Sequence, residues 1–218
     1  MKLNKNSMVL YAITDRTWLV DKSLAEQVEE AIQGGATFIQ LREKNLSFVE
    51  FLSVANDVKK ITDKYKIPFV INDNVDVAVS INADGVHIGQ DDEEIKEARK
   101  KLGINKIIGM SAHSVEEALK AEKNGADYIG VGAVFNTSTK LDADYVDFET
   151  LKNICLSVNI PVVAIGGINE NNILKLKGSG IDGVSVISAI FAKPDIKKAA
   201  RSMFKLSNEV VNNVQEEI

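Results

Sequence analysis

The sequence predicts an α/β protein, one closed (β/α)8 barrel, and three observations carry that expectation. Strand-like and helix-like patterns alternate along the whole chain, and strands alternating with helices pair in parallel through right-handed crossovers. Eight strand-then-helix units fit into 218 residues, the count and size of a compact barrel held as one domain over residues 1–218. The junctions also repeat: Asn124-Gly125-Ala126-Asp127 and Gly180-Ile181-Asp182-Gly183 each precede a strand, and Gly34-Gly35-Ala36 plays the same part earlier. A doubly wound open sheet is the alternative and requires a reversal of strand order.

Each element has its own signal. Val9 to Thr14 reads as strand one, then Leu24 to Gln33 as a helix closed by Gly34-Gly35. Thr37 to Arg42 is strand two, followed by a helix from Ser47 to about Lys64, whose Ser47 and Glu50 fit a capping box. Phe69-Val70-Ile71 and Val86-His87-Ile88 are short apolar runs bounded by Pro68, Gly85 and Gly89, hence buried strands three and four. Between them Val75 to Ile81 is a short helix. Asp91 to Leu102 is a polar helix, Lys106 to Met110 strand five, and Ser114 to Asn124 a helix with Ser114 and Glu117 again at capping-box spacing. Tyr128 to Val131 is strand six and leads into a polar loop, Phe135 to Val146. Phe148 to Val158 is a helix, Pro161 to Ile165 strand seven, Asn171 to Lys177 a helix stopped by Gly178, and Gly183 to Ile187 strand eight. The remainder to about Val214 is mostly helical.

Composition narrows the function. Hydrophobic residues make up 45 % and charged residues 26 %, ordinary for a soluble globular protein. A net charge of −5 argues against general nucleic-acid or membrane-surface binding, so an anionic substrate needs a local basic cluster. The single Cys155 has no internal disulfide partner and sits in an apolar helical segment as a small core residue. The first residues carry no long apolar stretch and no cleavage-like site, so the expectation is a cytoplasmic protein.

In such a barrel the active site lies at the C-terminal ends of the strands, and polar residues converge there. Side chains alternate along a strand, so Gln40, Arg42 and Lys44 share one face toward the barrel mouth and suit a polyanion. Leu41 and Glu43 then face the helices. Strand three delivers Asn72 and Asp73; strand four delivers His87, Gln90, Asp91 and Asp92. Neighbouring parallel strands end roughly 5 Å apart, so carboxylates at both tips can share Mg2+, which is commonly held by one or two carboxylates, waters and substrate phosphates. The competing reading is that these acids start helices. His87, inside an apolar run, reads equally as a satisfied core histidine. Strand five gives Ser111 and His113, and Ser111 is the better ligand contact. After strand six, Asn136-Thr137-Ser138-Thr139-Lys140 offers three hydroxyls and a lysine for a phosphate. Gly166-Gly167-Ile168-Asn169 and Val186-Ile187-Ser188 end strands seven and eight, the usual phosphate site of this architecture. Two anion sites emerge: a metal-assisted one near Asp73, Asp92, Lys44 and Lys140, and a metal-free one at Gly167 and Ser188. A pyrophosphate leaving group in the first and a monophosphate in the second describe a two-substrate transferase.

These stretches resemble the thiamine phosphate synthase family. The likeness runs from Tyr11-Ala12-Ile13-Thr14-Asp15 to Gly183-Val184-Ser185-Val186-Ile187-Ser188 and includes Gln40 to Lys44, Ile71 to Asp73, Gly85 to Asp92, Ser111, Thr137 to Lys140 and Ala164 to Ile168. Together these motifs are specific; no single one is. The resemblance implies condensation of a hydroxymethylpyrimidine diphosphate with a thiazole phosphate, releasing pyrophosphate through a dissociative step. It assigns Mg2+ to Asp73 and Asp92. It assigns the pyrimidine diphosphate to Gln40, Leu41, Arg42, Glu43, Lys44, Asn72, Ser111 and Lys140. The thiazole phosphate goes to Thr137, Ser138, Thr139, Gly167, Ile187 and Ser188. Arg42, Lys44, Ser111 and Lys140 are the implied catalytic residues. The implied partners are small molecules, with no nucleic acid and no membrane, and an oligomer is left open. Three positions depart from the family pattern: Asn74 stands where arginine is frequent, and Ala133 and Asn136 where prolines are. Two other readings compete. A thiazole tautomerase on the same barrel would use His113 as its acid/base, and a non-catalytic precursor-binding protein would have lost residues among Asp73, Asp92, Lys44 and Lys140. All four are present.

Overall fold

The computed structural model describes residues 3–19, 21–89, 95–136 and 145–212. Eight parallel strands close into a barrel in the order β1 to β8: Leu10–Ile13, Phe38–Leu41, Phe69–Asn72, Gly85–Ile88, Ile107–Ala112, Tyr128–Val131, Val162–Ile165 and Gly183–Val186. The open-sheet alternative is thereby excluded: β1 pairs with β2 and also with β8, matching Leu10 with Val184 and Tyr11 with Ser185. The outer helices are α1 (Leu24–Gly34), α2 (Phe48–Tyr65), α3 (Val75–Ser80), α4 (Ile95–Leu102), α5 (Val115–Lys123), α6 (Phe148–Ser157), α7 (Ser188–Phe191) and α8 (Ile196–Asn212). No helix among the described residues is long and apolar enough to cross a membrane.

Strand alternation divides the apolar residues into two cores. Ile39, Leu41, Ile71, Val86, Ile88, Ile129, Val131, Val184 and Val186 point outward and pack against the helices. Met8, Tyr11, Ile13, Phe38, Val70, Tyr128 and Val163 fill the barrel. Glycines make room for the large rings inside. A Cβ on Gly109 would lie 2.0 Å from the Tyr128 ring, so β5 must be bare where β6 carries a tyrosine. The rings of Tyr11, Phe38 and Tyr128 then meet with centroids 4.6–5.8 Å apart, in the tilted and edge-on arrangements aromatic quadrupoles favour.

The recurring Ala-Asp and Ile-Asp phrases have a mechanical role at the bottom of the barrel. Asp84, Asp127 and Asp182, each just ahead of one strand, accept an N–H from the first or second residue of the previous strand. The distances are 2.9 Å to Phe69, 2.8 Å to Ile108 and 2.9 Å to Val162. Thr37 does the same for Leu10 with its hydroxyl, at 2.9 Å. These bonds satisfy strand-end donors and set the stagger that a closed barrel requires.

Three elements differ from expectation. β5 continues to Ala112, so Ser111 sits on the strand rather than just past an end at Met110. Asn171 to Lys177 forms only a 3-10 turn at Ile173–Leu176. Asn169 and Asn172 explain it: their amides bond the backbone of residues 167, 169 and 171 and compete with helix formation. At α5, Ser114 accepts the N–H of Glu117, but the Glu117 carboxylate reaches one residue further back, to the His113 N–H at 2.7 Å. The capping box at Ser47 and Glu50 forms in full, and Ser23 with Glu26 makes a second one. Of the polar helix expected from Asp91, residues 91–94 lie outside the described residues.

Candidate active site

The C-terminal ends of β1 and β2 present the basic cluster. Thr14, fully buried, accepts the N–H of Arg42 through its hydroxyl at 3.1 Å and donates its own N–H to the Gln40 carbonyl. Arg16 grips Glu43 with two bonds of 2.9 and 3.0 Å. That bidentate pair neutralises the one acid within the Gln40 to Lys44 run, leaving Arg42 and Lys44 as the cations lining a cavity of about 260 Å³ with Asp15, Thr17 and Asn45. Gln40 points inward, as alternation requires, but lies below the rim: it is 2 % exposed and donates to the Tyr11 hydroxyl at 2.6 Å. Leu41 packs outward in the helix-side core.

Asp73 follows β3 with φ +60°, a left-handed conformation uncommon outside glycine. Its N–H is held by the His87 carbonyl of β4 at 2.9 Å, and Asn72 donates its side-chain amide to the Asp73 carboxylate. Asp73 does not cap α3. Asn74 does, accepting the N–H of Val77 at 2.9 Å. The helix-start reading of Asp73 is therefore set aside, and the departure at residue 74 has a local reason. The exposed carboxylate is a hard oxygen donor and fits Mg2+ chemically. Its expected partner Asp92 lies outside the described residues, as do Gln90 and Asp91. Among the described residues no three His, Cys, Asp or Glu side chains cluster to hold a metal on their own.

The phosphate end is built by β6, β7 and β8. Gly166 and Gly167 have φ +99° and +65°, and a Cβ on Gly167 would fall 2.3 Å from the Asn136 carbonyl, so only glycine fits that turn. Asn169 and Asn172 pin the Gly167 carbonyl at 3.1 and 2.9 Å. A polar cavity of about 360 Å³ opens there, bordered by Asn136, Gly167, Ser188 and Lys193. A second, less polar cavity of about 130 Å³ adjoins it through Gly167, Ile168 and Ser188 and reaches down to Ser111, His113, Gly130, Ser185 and Ile187. Thr137, Ser138, Thr139 and Lys140 lie outside the described residues.

Sequence reasoning missed Lys193, Arg16, Ser185 and the two interior tyrosines. Ser185 is 2 % exposed and its hydroxyl has no partner among the described residues, although it borders the glycine-lined cavity. An unsatisfied buried hydroxyl is uncommon and points to a ligand or a water. Inward register was the available signal: Ser185 pairs with Tyr11, which faces the barrel. Burial pushes both Tyr11 and Tyr128 well above the usual tyrosine range, so both phenols keep their protons. Burial also pushes the Cys155 thiol up to about 12, which removes it from nucleophilic chemistry near neutral pH.

A family profile described as Thiamine monophosphate synthase matches residues 10–190. Thiamine-phosphate synthase of Clostridium tetani is 54 % identical over 207 residues, covering 94 % of this chain and 99 % of the relative. That of Clostridium acetobutylicum is 57 % identical over 197 residues, covering 90 % and 93 %. Thiamine phosphate pyrophosphorylase from Pyrococcus furiosus superposes with a TM-score of 0.88 at 43 % identity, covering 95 % of this chain and 99 % of that one.

Proposed function

The chain belongs to the thiamine monophosphate synthase family, a transferase family making thiamine phosphate, and from that premise we propose the substrates and the roles of the residues at the barrel mouth. The substrates are 4-amino-2-methyl-5-hydroxymethylpyrimidine diphosphate and 4-methyl-5-(2-hydroxyethyl)thiazole phosphate. The bond between the pyrimidine methylene and the diphosphate oxygen breaks, and its electron pair leaves with pyrophosphate. The electron-rich aminopyrimidine stabilises the methylene cation, and the thiazole nitrogen lone pair closes the new C–N bond.

Arg42 and Lys44 take the charge that builds on the leaving group, together with Lys140, and Ser111 donates to it. Gln40, Glu43 and Asn72 shape the pyrimidine side, and Leu41, whose side chain packs outward, contributes only its backbone groups there. Asp73 and Asp92 would hold Mg2+, which would supply Lewis-acid stabilisation of the diphosphate. Gly167, Ile187 and Ser188 receive the thiazole phosphate with Thr137, Ser138 and Thr139, and Lys193 adds charge there. The glycine-lined cavity with the Ser185 hydroxyl takes the flat thiazole ring. No protein nucleophile is needed, consistent with the high Cys155 pKa. The observation that carries this reading is the pair of cavities at the strand ends, one lined by Arg42 and Lys44, the other by Gly167 and Ser188.

Pyrophosphate release measured with both substrates and Mg2+, omitting each in turn, tests it. Release that requires all three and yields thiamine phosphate supports the assignment. Release without the thiazole phosphate, or none at all with the complete mixture, overturns it.

A further inference from the structure

Four contacts connect the centre of the barrel to the Ser111 hydroxyl. Gln40 Nε2 lies 2.6 Å from Tyr11 Oη, and Tyr11 Oη 2.7 Å from Tyr128 Oη. Tyr128 Oη lies 3.0 Å from His87 Nδ1, and His87 Nε2 3.2 Å from Ser111 Oγ. The path begins on β2, crosses through β1 and β6, passes β4 and ends on β5. Gly109 clears space for the Tyr128 ring, and Gly130 lies over the His87 ring, where a Cβ would sit 3.4 Å from Cε1.

The Gln40 amide, placed with its nitrogen toward Tyr11, favours one direction for this chain. The Gln40 amide N–H only donates, so Tyr11 Oη accepts from it and gives its own proton to Tyr128. Tyr128 then passes its proton to His87 Nδ1. That makes His87 the Nε2–H tautomer, which donates to Ser111 Oγ. Ser111 reaches the mouth with its oxygen already accepting a proton, so it offers its O–H onward. The opposite polarity would turn serine lone pairs toward the ligand, and a diphosphate has only acceptors to meet them.

We propose that Gln40, Tyr11, Tyr128 and His87 act in series as positioning residues that hold Ser111 as a hydrogen-bond donor to the departing diphosphate. The inference rests on the assignment of Ser111 to the pyrimidine diphosphate made above. A donor fixed in advance strengthens as charge accumulates on the leaving group and requires no reorganisation during the reaction. Bonds in series also polarise one another. His87 is thus neither an idle core residue nor an acid/base.

The test is direct because the chain holds two histidines. The full-length protein labelled with [15N]histidine is observed by long-range 1H–15N correlation, with His113→Asn assigning the two rings. The expected spectrum shows His87 unprotonated at Nδ1 and protonated at Nε2. Tyr128→Phe conserves the ring and should replace that pattern with exchange between tautomers. The same variant should lower kcat on the order of tenfold with KM little changed, and adding Ser111→Ala should cause no further loss, because both act through one hydroxyl. A role in packing alone would lower the melting temperature and leave the tautomer unchanged. An Nδ1–H tautomer in the wild type, an unaltered spectrum in Tyr128→Phe, or multiplicative losses in the double variant overturns the proposal. A wild-type chain that makes no thiamine phosphate overturns the role together with the reading it rests on, and the spectra then still report the direction of the chain.

Discussion

Asp73 holds its carboxylate out from the barrel rim on a backbone with φ +60°. A non-glycine residue in that region carries a conformational cost of roughly 1–2 kcal/mol, less for aspartate and asparagine than for others. Here the bond from Asp73 N–H to the His87 carbonyl and that from Asn74 N–H to the Asn72 carbonyl over-determine the turn. Backbone strain of this kind collects at functional sites. Asp73→Asn keeps the conformation and removes the charge. It should therefore leave the melting temperature unchanged and lower kcat on the order of 100-fold or more, with the Mg2+ requirement shifted upward in a titration of initial rates. A variant that melts as wild type and reacts at the wild-type rate would remove Asp73 from the metal site.

At the scale of elements, the four latches at the bottom of the barrel and the helix caps govern stability more than chemistry. Asp127 accepts the Ile108 N–H and pairs with Arg99 at 2.7 Å, while Arg99 also bonds the carbonyls of Lys106 and Gly125. Asp127→Ala leaves a strand-end donor and a guanidinium without that partner and should cost about 1–3 kcal/mol. The checkable result is a fall in melting temperature of about 2–4 °C per kcal/mol with kcat retained. The caps add an acid dependence. Bonds to Ser23 and Ser47 hold the Glu26 and Glu50 carboxyls below the usual carboxylate range, and the Thr150 N–H does the same for Asp147. A carboxyl depressed in the folded state contributes stability that is present above its unfolded value, near 4.3 for glutamate, and is lost as pH falls through the folded value. Thermal stability should therefore drop on acidification below about pH 4, and Glu50→Gln should flatten that drop. Ser47→Ala should cost about 1 kcal/mol at neutral pH, read as a shift in the urea midpoint.

The whole molecule depends on one ring closure. β8 returns to β1, the Ser207 hydroxyl of α8 donates to the Val9 carbonyl, and α1 lies directly on α8. Gly34 makes a close approach in that packing: a Cβ there would sit 2.5 Å from both the Ala200 Cβ and the Lys197 carbonyl. Gly34→Leu should overpack the closure and cost about 1–3 kcal/mol. Because Gly34 ends the helix that enters β2 at the bottom of the barrel, the substituted protein should melt earlier yet keep its kcat at temperatures where it remains folded. An unchanged melting curve would show that closure tolerates a wider gap between α1 and α8.

Local chemistry made much of this protein readable before any coordinate. The strand and helix periods, the Ser47 cap, the glycines that end α1 and the loop after β7, and the polar residues at the strand ends all follow from interactions within a few residues of one another. The barrel followed from their number and alternation. What required the tertiary structure was everything set by register between distant strands. Gln40 looks like a rim residue by alternation alone, but its depth depends on pairing with Ile13 and Val70, which buries it beside Tyr11. Asp84, Asp127 and Asp182 recur visibly, while their acceptor role exists only once each faces the strand before it. The Asn171 to Lys177 stretch reads as a helix until the Asn169 and Asn172 side chains find the Gly167 backbone. The path from Gln40 to Ser111 joins residues up to 117 positions apart, and no local pattern announces it, because its members share nothing in sequence except an inward-facing register. Short-range preference decided which elements form and which residues crowd the barrel mouth; closure of the sheet decided which side chains meet inside it.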